Sequence, residues 1–441
     1  MKKSQTEVFP FRGEITVFMA LVFVLMLSVV GALIESASIQ ITKNRKRTDT
    51  LLALESTFAE FHPELLEQYD IFARFGCTEE VLQYRLSYYG AKNMDHSVKK
   101  IQLLTDYHGT PFYQQSVRYM KDWLGIKDVD PDSEYDFSED PDLQEEENLN
   151  MLELEGMLAE EGVELPTEDN PLENIENIKN SAMLSILVSN QEELSNQSIQ
   201  LEKLPSKRQL QKGNYPEEKD DGTTDKAFFV AYLVEHYSDF INQKEDTALL
   251  YELEYILGGY SSDKENLETV GEKLVNIRTA ANYTYLMTSP TRQAEADAMA
   301  TTICVMIAMP YLKDIVKLAL LFAWAYGESI IDVRALLKDK KVPFIKNDES
   351  WQLQLSSLIT LGTSSEDANE KDTIGGLSYQ DYLKGLLLLE DKETLSMRCL
   401  DLIESNLGIK TDQCMTKVVI ESSVNLRRGI EDTFITAFGY Q

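Results

Sequence analysis

A run of twenty residues without a charge, Ile15 to Ile34, stands near the start of the chain. At about 1.5 Å per residue, a helix of that length covers the roughly 30 Å hydrocarbon core of a bilayer. The apolar stretch of a cleaved signal peptide is usually shorter, about 7 to 15 residues. The pattern therefore predicts a retained transmembrane helix over residues 15–35, after a short N-terminal segment 1–14. A cleaved signal is the alternative.

Apolar residues recur at helical spacing after this run, at Leu51, Leu54 and Phe58, and Pro63 is placed to begin a further helix. Residues 36–126 are therefore predicted to form a helical stalk, the first ordered region. Around Leu103 the pattern fits either an amphipathic helix or a short strand.

The region 226–441 shows helical spacing along most of its length. Apolar helices are predicted over 227–241, 249–257, 291–309, 311–338 and 378–389, and Ser262 with Glu265 forms a capping pattern for another. Apolar and polar residues then alternate over 414–420 and 434–438, on either side of a polar turn. The expected fold class is mainly α (α+β), a helical core that closes with a short C-terminal antiparallel β-hairpin.

Between these regions the composition changes sharply. Residues 127–173 contain nineteen acidic side chains and one basic residue, Lys127. A segment with so much like charge repels itself and buries little apolar surface. We therefore predict that 127–225 is an acidic low-complexity insertion, largely disordered, interrupted by a short helix around 175–187.

The overall charge limits the classes of partner. The chain has 42 Lys and Arg against 74 Asp and Glu, a formal net charge of −32, which argues against nucleic-acid binding. Hydrophobic residues make up 43% of the chain, enough for a folded core. Four cysteines are too few for a disulfide scaffold.

Three groups of residues could carry chemistry. Glu328 and Asp332 share one helix face as a general acid–base pair would, but no histidine or ligand cluster accompanies them, which favours a buried polar network or helix-end salt bridges. Acidic residues at alternate positions from Asp128 to Glu139 match a calcium loop, although Ser133 replaces the glycine that its sharp turn requires. Cys399 and Cys414 fit either a disulfide or two buried thiols. The sequence assigns no catalytic, cofactor-binding or metal residues, and we expect no enzyme and no cofactor.

Several segments carry a resemblance to a known family. They are RGEITVFMALVF at 12–23, GALIESASIQ at 31–40, HPELLEQYDIFA at 62–73, YILGGYSSDKENL at 255–267, LFAWAYGESIIDVRALL at 321–337, PFIKNDESWQL at 343–353 and GLSYQDYLKGLLLL at 376–389. Together they resemble a Gram-positive membrane-anchored family of unknown function that is found near Tad (tight adherence) pilus genes. The N-terminus is similar to that of TadE-like minor pilins. The resemblance implies a cytoplasmic N-terminus and an extracellular C-terminal domain, whereas the charges flanking the helix favour neither orientation.

The N-terminus also differs from that of processed pilins, which are cut after a glycine that has a glutamate five residues beyond it. Gly13 is in place, but the fifth residue beyond it is Phe18, and the glutamate is Glu14. The resemblance therefore leaves cleavage open. We expect a single-pass protein of the cell membrane with a non-catalytic structural or assembly role in a Tad-type pilus or secretion system. Its partners would be the bilayer, pilus components or further copies of itself. The alternative is an envelope-associated binding or sensing module unrelated to pili.

Overall fold

Helices dominate the fold, as predicted. The computed structural model describes residues 12–76, 78–126, 171–179, 181–188, 190–217, 224–359 and 371–440. The helices in this part of the chain are α1 (Arg12–Phe58), α2 (Pro63–Tyr69), α3 (Glu79–Tyr88), α4 (Asp106–Trp123), α5 (Pro171–Lys179), α6 (Met183–Leu187), α7 (Asp225–His236), α8 (Glu252–Gly258), α9 (Asp263–Thr288), α10 (Pro290–Met306), α11 (Lys313–Leu337), α12 (Tyr379–Leu389) and α13 (Lys392–Leu407). The strands there are β1 (Arg74–Phe75), β2 (Asp95–Leu103), β3 (Cys414–Asn425) and β4 (Glu431–Gly439).

Helix α1 joins the apolar N-terminal run to the folded domain without a break. Apart from Val22, its large apolar side chains between Ile15 and Ile34 are at least half exposed, and the helix is long and apolar enough to cross a membrane. Its last turns differ, because Ala53, Leu54 and Phe58 are buried. The prediction of one helix that continues from an apolar segment into the domain is confirmed.

Strand β3 is the centre of an antiparallel sheet and pairs with β1, β2 and β4. The predicted C-terminal hairpin is therefore present, as β3 and β4. The segment near Leu103 is a strand rather than a helix. Because β2 comes from the first ordered region and β3 from the C-terminal region, the two regions that the sequence separated share one sheet.

Alternation along β3 explains how the sheet packs. Val418 and Ile420 are completely buried in the cluster that also contains Leu54 and Leu86, whereas Lys417 and Glu421 on the opposite face are half-buried. One face of the sheet thus lies against α1 and α3. This is the arrangement expected of an antiparallel sheet with one apolar face.

The helical core is built around α9 and α11, which pack along each other. The capping pattern at the start of α9 is confirmed, since the Ser262 hydroxyl accepts a hydrogen bond from the Glu265 amide. The predicted pair of apolar helices on either side of Pro310 is present as α10 and α11. The predicted helix over 227–241 is too long, and α7 ends at His236. The amides of Ser238 and Phe240 donate instead to the buried carboxylates of α8, which a continuing helix would prevent.

The prediction of an acidic, largely disordered insertion over 127–225 requires a correction in its second half. Of this stretch, residues 171–179, 181–188, 190–217 and 224–225 are described, and they are folded onto the core. The physical reason is that the acidic density ends near 173, where apolar side chains begin to recur. Those buried in the main core are Ile175, Ile178, Met183, Leu184, Leu187 and Leu194. The possible calcium-loop positions 128–139 lie outside the described residues.

Candidate functional site: a buried ion network and an adjacent groove

Glu328 and Asp332 lie one turn apart on α11, and both are completely buried. The ammonium group of Lys346, from the loop after α11, lies 2.5 Å from Glu328 Oε1 and 2.6 Å from Asp332 Oδ1. Glu328 also accepts hydrogen bonds from the amides of Gln352 and Leu353, at 3.0 and 2.7 Å. The two carboxylates therefore fasten the loop 341–353 to the helix.

A second cation, Arg278 of α9, completes the network from the other side. Its guanidinium donates to Asp332 Oδ2 at 3.1 and 2.9 Å and to Asn282 Oδ1 at 2.9 Å. It also donates to the Phe344 carbonyl at 2.7 Å and to the Tyr382 hydroxyl at 3.0 Å. One residue thus ties α9 to α11, to the loop and to α12.

The charges in this network balance, with two carboxylates and two cations. Burial raises the pKa of Glu328, the Lys346 ammonium opposes that shift, and the neighbouring Asp332 carboxylate adds to it. Each charged group is engaged with another member of the network, so none of the four is presented to a substrate. The geometry is that of a structural network, which is the interpretation that the sequence favoured for Glu328 and Asp332.

A groove opens beside this network, above two tryptophans. Trp324 and Trp351 pack edge to face at 5.6 Å, and both indole NH groups donate to the Leu353 carbonyl. The Arg292 guanidinium lies 5.2 Å from the Trp324 ring centre and 5.8 Å from that of Trp351, a cation–π arrangement. The groove has a volume of about 670 Å³ and is lined by Arg292, Glu295, Ala298, Met299, Thr302, Gln354, Leu355 and Ser356.

Arg292 is the only cationic group in that lining, and its ion pairs are long. The guanidinium is 3.7 Å from Glu295 and 3.8 Å from Asp348. Such loosely held contacts leave an anionic or aromatic ligand able to compete for the guanidinium. The groove is therefore the part of this region in which a charged group, the Arg292 guanidinium, could bind a ligand.

A separate cluster of buried carboxylates lies around α8. Glu254 accepts hydrogen bonds from the Tyr379 hydroxyl at 2.6 Å and from the Phe240 amide at 2.9 Å. Burial raises the pKa of Glu254 to about 8, against the hydrogen bonds that lower it. Glu252 and Asp401 are also buried, and burial raises the pKa of both carboxyl groups. These acids satisfy backbone and hydroxyl donors inside the core.

Two histidines outside the network have structural partners. His62 caps α2, accepting from the Leu65 amide, and His236 contacts Asp70. Within the described residues, no group of three or more His, Cys, Asp or Glu side chains is arranged to hold a metal ion. Cys399 carries a free, buried thiol, so it forms no disulfide with Cys414.

Sequence reasoning missed the cationic half of the network. Arg278 is one of seven charged residues on a helix of mixed composition, and Lys346 lies in a loop between Ile345 and Asn347. Both types of residue are usually solvated. The available signal was the pairing of two acids at one-turn spacing inside an apolar helix, because buried carboxylates require buried cations or donors.

A family of unknown function, DUF5702, matches residues 161–426, well over half of the chain. The chain belongs to this family. The DUF5702 match includes α9, α11, the loop carrying Lys346 and all of β3, and therefore the whole buried ion network. It leaves out α1 and β4. No curated protein and no solved structure matches the chain.

Proposed function

We propose that this DUF5702 protein is a single-pass membrane protein with a non-catalytic structural or assembly role, and that its folded domain lies outside the cell. The observation that carries the proposal is the continuity of α1. One helix of 47 residues includes the apolar segment and ends buried against the sheet at Phe58. A rigid connection of this kind transmits position and force from the bilayer to the domain, as an assembly component requires.

The buried ion network supports a structural role. Its four charged groups neutralise one another and hold α9, α11, α12 and the loop 341–353 together. Buried ion pairs of this kind favour one arrangement of the packed elements, and removal of one partner is strongly destabilising.

The assembly that we propose is a Tad-type pilus or secretion system. The N-terminal segment supports it through its resemblance to TadE-like minor pilins. The partners would be pilus or secretion-system components, or a second copy of the chain. The acidic composition fits an exported domain and disfavours nucleic acid as a ligand.

The groove favours a second candidate, an envelope-associated binding or sensing module. Arg292 is held over two indole rings at the wall of an open groove, with only long contacts to acidic residues. A small anionic or aromatic ligand fits that chemistry. Binding of such a ligand by a strain that lacks pili would favour this candidate over the first.

The topology is tested by cysteine labelling in intact cells. Because Cys304, Cys399 and Cys414 are buried, replacement of Cys77 by serine leaves a protein suited to labelling of introduced cysteines. A membrane-impermeant maleimide is expected to label Lys207→Cys and to miss Ser4→Cys. Labelling at position 4 with protection at 207 would contradict an external domain and the pilus role with it.

The assembly role is tested by deletion of the gene in its own cell and by in-cell crosslinking. We expect fewer or shorter pili, restored by the intact chain. We expect no restoration by residues 36–441 exported behind a cleavable signal, because that form lacks the anchor. Normal pili in the deletion strain, with no crosslink to pilus subunits, would contradict the proposal.

A further inference from the structure

We propose that the tip of the β3–β4 hairpin contacts anionic phospholipid headgroups of the bilayer that α1 spans. The hairpin tip is Leu426–Ile430, with the sequence LRRGI. This inference rests on the membrane-anchor part of the proposed function, and it adds a lipid class and the residues that meet it.

The first step is the direction of β4 relative to α1. Asp432, at the start of β4, forms ion pairs with Lys43 at 3.0 Å and Arg47 at 3.4 Å. Near the other end of the strand, the Phe438 ring packs on Phe58 at 5.0 Å. Strand β4 therefore runs beside α1 in the same direction, and its beginning is the end closer to the membrane.

The second step is the height of the hairpin tip above the bilayer. Lys43 is nine residues beyond Ile34, so a helix rise of 1.5 Å per residue puts it about 14 Å beyond the apolar run. From Asp432 back towards the tip, each residue of β4 lies about 3.3 Å closer to the membrane than the one after it. Asp432 is level with the span from Lys43 to Arg47, at about 14 to 20 Å, so Ile430 and Gly429, two and three residues back, lie at a height of roughly 7 to 10 Å. The headgroup layer on one side of a bilayer occupies about the first 5 to 8 Å beyond the hydrocarbon.

The third step is the chemistry of this end of the domain. In the tip, Arg427 and Ile430 are exposed, and Gly429, at φ 70°, permits the tight turn. A second loop lies at the same end, because the Lys46 ammonium donates to the Lys92 carbonyl at 2.8 Å, and the Lys92 side chain is exposed. Neither the tip nor the loop 90–94 contains an acidic residue, in a chain with a net charge of −32.

The nearest acids do not cancel this charge. Asp432 is engaged by Lys43 and Arg47, and Glu431 and Asp95 follow the two loops at the start of their strands, further from the bilayer. Basic residues beside a membrane helix are attracted to anionic headgroups, and an exposed isoleucine three residues after Arg427 suits the boundary between headgroups and water. Anionic lipid is therefore the partner that this end of the domain fits.

The test uses the full-length chain with Cys77 replaced by serine, reconstituted in liposomes of phosphatidylcholine alone or mixed with phosphatidylglycerol. A spin label at Ile430→Cys reports on collisions with a nickel chelate attached to lipid headgroups. The matched position is Lys207→Cys, which is exposed and lies beside Arg208, the partner of Asp412 at the opposite end of β3. We expect strong relaxation at 430 in the mixed liposomes and little at 207.

Charge reversal separates lipid recognition from mere closeness to the membrane. Arg427→Glu is expected to lower the relaxation at 430 severalfold in mixed liposomes, because one basic residue at an anionic surface contributes about a fivefold preference for that surface. Lys203→Glu, the same change at the far end, should leave it unaltered. Circular dichroism checks that both variants are folded. Equal relaxation at 430 and 207, or equal values at 430 in the two lipid mixtures, would overturn the proposal. Removal of the chain from liposomes by carbonate would instead contradict the anchor itself.

Discussion

The ammonium of Lys346 lies 2.6 Å from Asp332 Oδ1, although only 1% of the lysine side chain and none of the aspartate side chain is exposed. The same ammonium neutralises Glu328. A loop residue therefore balances two carboxylates of α11. If the loop left the helix, the Lys346 ammonium and both carboxylates would lose the ion pairs that they form with each other.

Lys346→Met is expected to destabilise the protein by about 3 to 5 kcal/mol, because two buried carboxylates then share the single remaining cation, Arg278. Urea unfolding followed by tryptophan fluorescence measures this loss, since Trp351 lies in the same loop. Without Lys346, the pKa of Glu328 rises further. The destabilisation should therefore be larger at pH 8 than at pH 5.

Lys207→Met is the matched control, because Lys207 is exposed and the side-chain change is the same. Its unfolding midpoint should remain close to that of the unchanged protein. A Lys346→Met variant as stable as this control would contradict the buried network.

Glu254→Gln is expected to alter the pH dependence of stability. Burial raises the pKa of Glu254 to about 8, whereas an unfolded glutamate titrates near its ordinary value of 4.5. The stabilising effect of the raised pKa is fully present below the unfolded value and is lost as the pH rises towards 8, by about 1.4 kcal/mol per pH unit. Glutamine does not ionise, so the variant should lose less stability between pH 5 and 8.

The measurement is the urea midpoint at several pH values, compared with Glu202→Gln, an exposed position. The control should keep the slope of the unchanged protein. Identical slopes in all three proteins would show that Glu254 does not retain its proton in the folded state.

The elements predicted well from the sequence are those whose pattern is local. The long apolar helix, the helix that begins after Ser262, and the alternating hairpin follow from spacing and capping within a few residues. These signals depend on backbone geometry and hydrophobic periodicity, which neighbouring residues determine.

Long-range pairing explains what the sequence could not supply. Nothing local indicates that β2 pairs with β3, more than three hundred residues later. In the same way, Lys346 and Arg278 come from a loop and a different helix to meet Asp332. A buried carboxylate predicts that a partner exists, but the identity of that partner is decided by tertiary packing.

Arg208→Met is expected to loosen residues 190–217 from the core. The guanidinium is 2.6 Å from both Asp412 and Glu404. Its hydrogen bonds to these two carboxylates raise the pKa of Arg208. Burial raises the pKa of the Asp412 carboxyl group. The hydrogen bonds from Arg208 outweigh this effect and hold that pKa below its usual range. Loss of charge-assisted hydrogen bonds to buried carboxylates costs about 1.5 to 3 kcal/mol.

Limited proteolysis measures the effect, with earlier cutting within 190–217 than in the unchanged protein. Lys207→Met again serves as control, since it changes the adjacent side chain without touching either acid. Equal cutting of the three proteins would contradict the role of Arg208 in holding this segment.

Phe58→Ala is expected to separate the end of α1 from the sheet. The Phe58 ring is 1% exposed and packs at 5.0 Å on Phe438 and at 5.1 Å on Tyr440. Truncation of a buried phenylalanine costs about 3 to 5 kcal/mol, from lost apolar contacts and the cavity that remains. Because α1 is continuous, the loss of stability falls on the joint between the membrane segment and the domain.

In detergent, hydrogen exchange at residues 50–58 and 434–440 should therefore accelerate together, while α9 and α11 keep their protection. Leu52→Ala, at a position that is 53% exposed on the same helix, should leave all of these rates unchanged. If Phe58→Ala instead accelerated exchange throughout the helical core, α1 and the sheet would belong to the same cooperative unit as α9 and α11, and the joint would not be a separate mechanical element.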